Sequence, residues 1–442
     1  MRLRLLAALA ALIVLSVPSL ADLSFSVPQY TVPGDNAWDY YVAAFALLPP
    51  KGGVWDRAQP LGEQPSIAGV EALLREGGPA LAKLREGLGK PCVPLYAEVG
   101  SSATGAPAAL APARSMAKLL AWEGWLAAQR GDNDSAFASC LDSMALGQDV
   151  ARNGGAMAKL VSIACEGTAC SSIRRTVAVA AGNQAALGTF VSRLEDVEGS
   201  EVPYAESLAH EYGTQVAYLR WLRNSGAMTR DQFQQRFGTR AIGAATILAR
   251  RELDRRYSEA VALAQRPTWE WSWTPPSQAE MDTTVLGLTR AVGLFPRAPQ
   301  SAALSPRQQE RYNRRLVRAK LEAMKVFLPE DQSLADLLSP RPGQDQVAVR
   351  HLADLRGTLL VAALELHRAR ARGYPTALTD LVPSALDSVP LDPWTGQPFR
   401  YERISATEYK LYSVGPDGAD DGGVEKGPRN TDRYDLPFAA GK

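Results

Sequence analysis

From residue 112 to residue 180, apolar side chains recur at three- and four-residue spacing almost without a break, and a stretch of that period and length folds as helix. Leu119-Leu120-Ala121-Trp122 leads into Gly124-Trp125, and Gly131-Asp132-Asn133-Asp134-Ser135-Ala136 then reads as a turn. Gly124 and Ala136 flank that turn as small residues, so the two helices can approach closely. Asn153-Gly154-Gly155 marks a second turn, between helices predicted over 135–152 and 156–178. The pattern extends in both directions. A helix is predicted near 66–88 from Ile67, Val70, Leu73, Leu74, Leu81 and Leu84, and Pro91 and Pro94 end it. Residues 186–263 continue as helices, with Tyr204, Leu208, Tyr212, Val216, Leu219 and Leu222 on one face and a strong segment over Ala241–Arg255. Ser305-Pro306-Arg307-Gln308 opens another through a capping box. A hydrophobic content of 46% is ample for a helical core. The fold expected is mainly α, a helical-hairpin array.

The hairpin around Gly124 and Ala136 resembles tetratricopeptide-like hairpins, in which small residues sit at that spacing. The likeness covers one hairpin; no second copy follows at the period of about 34 residues.

Residues 1–21 read as a secretory signal peptide. Arg2 and Arg4 form its positive end, Leu5 to Val17 its apolar stretch, and Ser19-Leu20-Ala21 its small-residue cleavage site. The apolar stretch is shorter than the roughly 20 residues a membrane span needs. With cleavage near Ala21, the expected location is extracytoplasmic, periplasmic or secreted, with no integral membrane segment in the mature chain. The formal net charge is +1, which gives no field for steering nucleic acid. The arginine-rich run Arg311, Arg314, Arg315, Arg318 and Lys320 is diluted by Glu310 and Glu322 and reads as a solvated face.

Four cysteines, Cys92, Cys140, Cys165 and Cys170, in a chain bound for an oxidising compartment make disulfides an expectation. On one helix Cys165 and Cys170 point about 140° apart and do not pair. In an antiparallel hairpin turning at Asn153-Gly154-Gly155, Cys140 falls nearly opposite Cys170. That pair is the expected bridge, leaving Cys92 to meet Cys165 or stay free.

Thr268-Trp269-Glu270-Trp271-Ser272-Trp273 places three tryptophans at alternate positions, either as a glycan or peptide platform or as cover for a joint between helical layers. Pro340-Arg341-Pro342-Gly343 is the strongest linker in the chain. It suggests a division into a helical domain over 22–339, a linker over 340–344 and a C-terminal domain over 345–442.

That C-terminal part has its own order of elements. A helix over Gln344–Arg372 presents Val347, Leu352, Leu355, Leu359, Leu360, Ala363, Leu364 and His367 as its buried stripe, and Gly373 ends it. Tyr374-Pro375 turns the chain, and Leu378, Leu381 and Val382 form a short helix. Asp392-Pro393-Trp394-Thr395-Gly396 is a turn with one aromatic anchor. Phe399–Arg403 and Tyr409–Ser413 alternate as a β-hairpin. An acidic, glycine-rich loop follows from Gly415 to Asp435. Acids and glycines in this mixture suit calcium, which takes six to eight hard oxygens, but the spacing is not that of an EF-hand.

This sequence of helix, Tyr-Pro, Asp-Pro-Trp, hairpin and acidic loop resembles the globular domain of the major pseudopilins of type II secretion. The resemblance implies a small α+β domain, a long helix with a small antiparallel sheet and a structural calcium loop. It implies ligands from Asp417, from the carbonyls of Val414 and Ala419, and from Asp420 and Asp421, with Asp432 or Asp435 as later acids. The chain departs from the family where assembly is concerned. Pseudopilins begin with the long apolar helix, whereas the equivalent here lies mid-chain and carries His351, Asp354, Arg356 and Arg368. Polymerisation as a pilus is therefore not expected.

Catalytic signatures do not emerge. His210-Glu211 lacks the second histidine of a zinc-protease motif, the cysteine spacing is not that of a zinc site, and no nucleophile elbow, P-loop or dinucleotide fingerprint occurs. His210 with Glu206 or Glu211 is the one grouping worth naming. The expectation is a non-enzymatic exported scaffold with a protein partner in the cell envelope, accessory to a secretion or surface apparatus. The alternative is a cell-envelope hydrolase acting on glycan or peptide.

Overall fold

The computed structural model describes residues 25–58, 65–95, 110–180, 183–225, 239–272, 343–424 and 435–439. The signal segment 1–21, Trp273, the 305–320 region, residues 340–342 of the linker and Asp432 lie outside the described residues. Those described are mainly helical with one small antiparallel sheet, as the sequence pattern predicts.

Among the described residues, four helices come first: α1 (Ala37–Ala46), α2 (Val54–Ala58), α3 (Ile67–Gly87) and α4 (Leu110–Gln129). Asn36 caps α1 by accepting the Trp38 N–H, and its amide also exchanges hydrogen bonds with the Val93 backbone at 2.9 Å. A single buried side chain thus starts one helix and pins the segment that follows α3. Ser66 caps α3 through the Gly69 N–H. Helix α5 (Asn133–Ala151), capped by Asp132, and helix α6 (Ala156–Ala180) form the predicted hairpin. Gly124 and Ala136 meet as expected: a Cβ on Gly124 would stand 3.2 Å from the Ala136 carbonyl oxygen, so α4 and α5 pack nearly backbone to backbone.

The α5–α6 hairpin divides two cores. On one side Trp38, Tyr41, Leu73, Leu84, Met116, Leu120 and Leu146 bury against α1 to α4. On the other lie Phe137, Met144, Ile173 and Val177, with Phe190 and Leu194 of α7 (Gln184–Gly199). Phe137 and Phe190 stack there at 4.3 Å between centroids. Helices α8 (Tyr204–Ser225) and α9 (Thr239–Ala264) pair separately, around Leu208, Ala260 and Val261.

Helix α10 (Gln344–Ala371) belongs to the second of these cores. Leu355, Leu359, Leu360 and Leu364 share one apolar cluster with Ile173, Phe190 and Leu194, and Arg174 of α6 reaches Asp354 at 2.7 Å. A small sheet in the order β1 (Arg400–Arg403), β2 (Tyr409–Ser413), β3 (Leu436–Pro437) closes its far side, with Phe399, Leu411 and Phe438 inward. The hairpin register pairs Tyr401 with Leu411. The segment after the predicted linker therefore has no separate core, and Gln344 is already helical and buried. Packed on both sides, α10 is buried around its whole circumference from Gly357 to Leu366. The single predicted stripe is thus too narrow, and Val347, assigned to it, is exposed. Arg372 at φ 60, not Gly373, takes the left-handed position that ends the helix.

The expected Cys140–Cys170 bridge is not formed, and all four cysteines are free thiols. The helices are antiparallel as predicted, but their faces differ from the expectation. The Cys140 thiol lies beside Ser172 and Thr176, whereas Cys170 turns toward Asp354 and Thr358 of α10. Burial pushes the Cys140 thiol up to about 11 and Cys165 to about 12.

Candidate functional site

Three places concentrate polar chemistry. The first is the acidic loop after β2. Gly415, Gly418, Gly422 and Gly423 all have positive φ, which lets the chain coil tightly from Val414 to Val424. Val414 is buried, and its N–H is held by Asp392 Oδ2 at 3.1 Å. Asp392 also accepts from the Ser413 hydroxyl at 3.0 Å and the Trp394 N–H at 3.0 Å, so the Asp-Pro-Trp turn locks the end of β2. Burial raises the Asp392 carboxyl against the pull of those donors. Of the acids expected to hold calcium, Asp417 is exposed and accepts the Ala419 N–H in its own turn. Asp420 is exposed and engaged by Tyr412 Oη at 2.8 Å and Arg400 at 3.1 Å, and Asp421 is exposed. Asp435 is fully buried: one oxygen accepts the Gly423 N–H, and Oδ1 has no partner. Among the described residues, no three of these carboxylates converge within 4.8 Å.

The second place is an open cleft of about 820 Å³ where α7, α10 and the 387–391 segment meet. Glu195, Glu198, Asp387 and Arg356 line it, with the Trp269 ring at its edge. Arg356 holds Glu198 at 2.7 Å and the Leu391 carbonyl at 2.9 Å. Trp269 lies over Gly396, where any Cβ would come within 2.7 Å of the indole, and Thr268 donates to the Pro393 carbonyl. Trp271 turns away to Tyr204, with ring centroids 5.6 Å apart. Trp271 thus packs on α8, whereas Trp269 is exposed and lines the cleft.

The third is a buried ionic cluster that joins α6, the α7–α8 connection and α10. His351 Nε2 lies 3.0 Å from Glu166 Oε2 and 3.6 Å from Glu201 Oε1. Lys159 binds Glu201 Oε1 and the Val202 carbonyl, and Ser162 donates to Glu166 Oε1 at 2.5 Å. Glu201 Oε2 is buried without a partner. Glu166 fits because residue 147 opposite is glycine: a Cβ there would stand 2.6 Å from Glu166 Cγ. Burial opposes protonation of His351, but the Glu166 and Glu201 carboxylates outweigh it and raise the imidazole to about 10. Burial and the Glu201 charge raise Glu166. Burial would raise Glu201 too, but His351 and Lys159 hold it well below the usual carboxylate range. The two carboxylates face an imidazole and the Lys159 ammonium, so each buried charge has a partner of opposite sign or a hydrogen-bond donor.

Among the described residues, no hydrogen bond joins the His210 ring to Glu206 or Glu211. Glu206 accepts from Tyr30, Glu211 caps the start of α6 at the Ala156 N–H, and His210 stacks on Tyr30 at 5.7 Å. The sequence reading missed Glu166, Glu201 and His351. The available signal was an acid in the small-residue run Ala164-Cys165-Glu166-Gly167, and a histidine in phase with Ala348 and Leu355 on α10.

No protein-family model, curated protein or solved structure matches this chain. Among the described residues, no helix is long and apolar enough to cross a membrane.

Proposed function

We propose that this chain is an exported, non-enzymatic binding scaffold, accessory to a secretion or cell-surface apparatus, whose pseudopilin-like C-terminal part is braced by calcium in the 414–435 loop. The observation that carries the reading is the cleft, where an indole face and several carboxylates meet at the seam between the helical bundle and the C-terminal part. Aromatic rings are enriched at the anchoring points of protein interfaces, and the rim around them is polar. The partner is a protein of the cell envelope presenting a basic segment to Glu195 and Asp387. Calcium at the loop is supported by the buried, unpartnered Asp435 Oδ1 and by glycines that can turn carbonyls such as Val414 and Ala419 inward.

The test is capture from an envelope fraction by wild type and by Trp269→Ala with Asp387→Asn. Loss of one specific protein in the double variant, at unchanged melting temperature, supports the scaffold, and identical capture refutes it. Calcium should raise the melting temperature by mass action, and Asp417→Ala and Asp435→Asn should each abolish the rise. Turnover of a glycan or peptide panel would instead assign a cell-envelope hydrolase.

A further inference from the structure

We propose that Glu166, Glu201 and His351 form a metal centre for a borderline divalent ion such as Zn²⁺, inside the helical core and apart from the acidic loop. The geometry is preformed. The three ligand atoms lie within 4.8 Å of one another, with the imidazole nitrogen 3.0 and 3.6 Å from the two carboxylate oxygens. A tetrahedral ion with bonds near 2.0–2.2 Å needs ligand atoms separated by about 3.3 Å. The two imidazole–carboxylate separations therefore match to within a few tenths of an ångström. Its donor set is one imidazole and two carboxylates. Imidazole favours zinc and its transition-metal neighbours over magnesium or calcium.

The surroundings orient the ligands as a metal site requires. Ser162 occupies Glu166 Oε1 and leaves Oε2 facing His351. Supporting hydrogen bonds of this kind fix which oxygen binds. Glu201 has two oxygens for two tasks: Lys159 takes one, and the other is buried with no partner at all. The oxygen nearest His351 is the one that Lys159 holds, so an ion either shares Oε1 with the ammonium or binds the orphaned Oε2, which thereby gains a partner. The three ligands come from segments far apart in sequence, and an ion would staple α10 to α6 and to the end of α7. Glu201 is the least buried of the three, at 15% side-chain exposure, and its neighbours Gly199 and Ser200 line the cleft. An ion can thus arrive from that side, and one coordination position remains for solvent. The rival account is a closed ion-pair lock that holds no metal.

Co²⁺ titrated into the full, chelator-treated chain separates the two. One equivalent should bind and give the visible d–d bands of a low-coordinate nitrogen–oxygen site, without the near-ultraviolet thiolate band that the free cysteines would produce. Zn²⁺ should displace it and raise the melting temperature. His351→Gln and Glu201→Gln should lose the bands, and Asp417→Ala in the loop should keep them. Ser162→Ala, which spares every ligand, should weaken binding by about 10–100-fold. Should the ligand variants fail to fold, the wild-type spectrum and Ser162→Ala decide. Absence of stoichiometric binding by the folded wild type, a thiolate band, or bands that persist in His351→Gln would overturn the proposal.

Discussion

Replacing Gly147 by alanine isolates the packing that the ionic cluster depends on. Two effects oppose each other. Alanine in a helix interior is favoured over glycine by about 0.8–1 kcal/mol. Against that, the new methyl would sit 2.6 Å from Glu166 Cγ, 3.1 Å from Oε1 and 3.2 Å from Cδ. Glu166 cannot swing aside freely, because Ser162 holds one oxygen and His351 the other. Overpacking of a tight interior costs about 1–3 kcal/mol, and pulling Glu166 off His351 adds part of the roughly 3–5 kcal/mol for breaking a buried pair. The net expectation is a loss of about 1–3 kcal/mol. Gly167 is the control: it lies one residue from Glu166 on α6, and a Cβ there meets nothing within 4 Å. Gly167→Ala should therefore stabilise by about 0.5–1 kcal/mol. Urea unfolding followed by circular dichroism reads both as midpoint shifts at constant slope. A double-mutant cycle with Glu166→Ala completes the test. With the obstructing side chain removed, Gly147→Ala should cost nothing further, giving a large coupling. Gly147→Ala that stabilises like the control, or costs the same in both backgrounds, would refute the reasoning.

Two further outcomes follow from the same structure. Asp392→Asn keeps the shape but supplies one acceptor oxygen where Ser413, Val414 and Trp394 all donate; chemical denaturation should show a loss of about 1–3 kcal/mol. Alkylation in denaturant without reductant should label all four cysteines by mass spectrometry, because Cys140 and Cys170 face different helices. Finding two of them protected would restore the expected bridge.

The sequence made local structure legible and left most tertiary chemistry hidden. Helices with a half-exposed face, such as α3, and the hairpin of β1 and β2 follow from short-range periodicity, and the structure reproduces them closely. The same logic misjudged α10. A stripe argument presumes a wet face, whereas α10 runs between helices and sheet and has none from Gly357 to Leu366. The disulfide expectation failed for a related reason. Position along a hairpin says which residues are level, but not that Cys170 faces a third helix far along the chain. Glu166 and His351 lie 185 positions apart, so no spacing rule could pair them. The acidic loop was the reverse case: its composition was conspicuous, yet its exposed acids bind their own turn and Tyr412, and the buried one is Asp435.

Helix α10 fills a slot lined by residues made almost two hundred positions earlier, as the Arg174–Asp354 and Glu166–His351 contacts record. Until α10 docks, Ile173, Phe190 and Leu194 have no lid, and a chain folded only as far as α9 displays a greasy trough. Docking of α10 is thus a long-range closure, which slows the search for the native state and prolongs the hazard of clumping. A chain of this kind gains from a holdase until α10 and the sheet that follows it are in place.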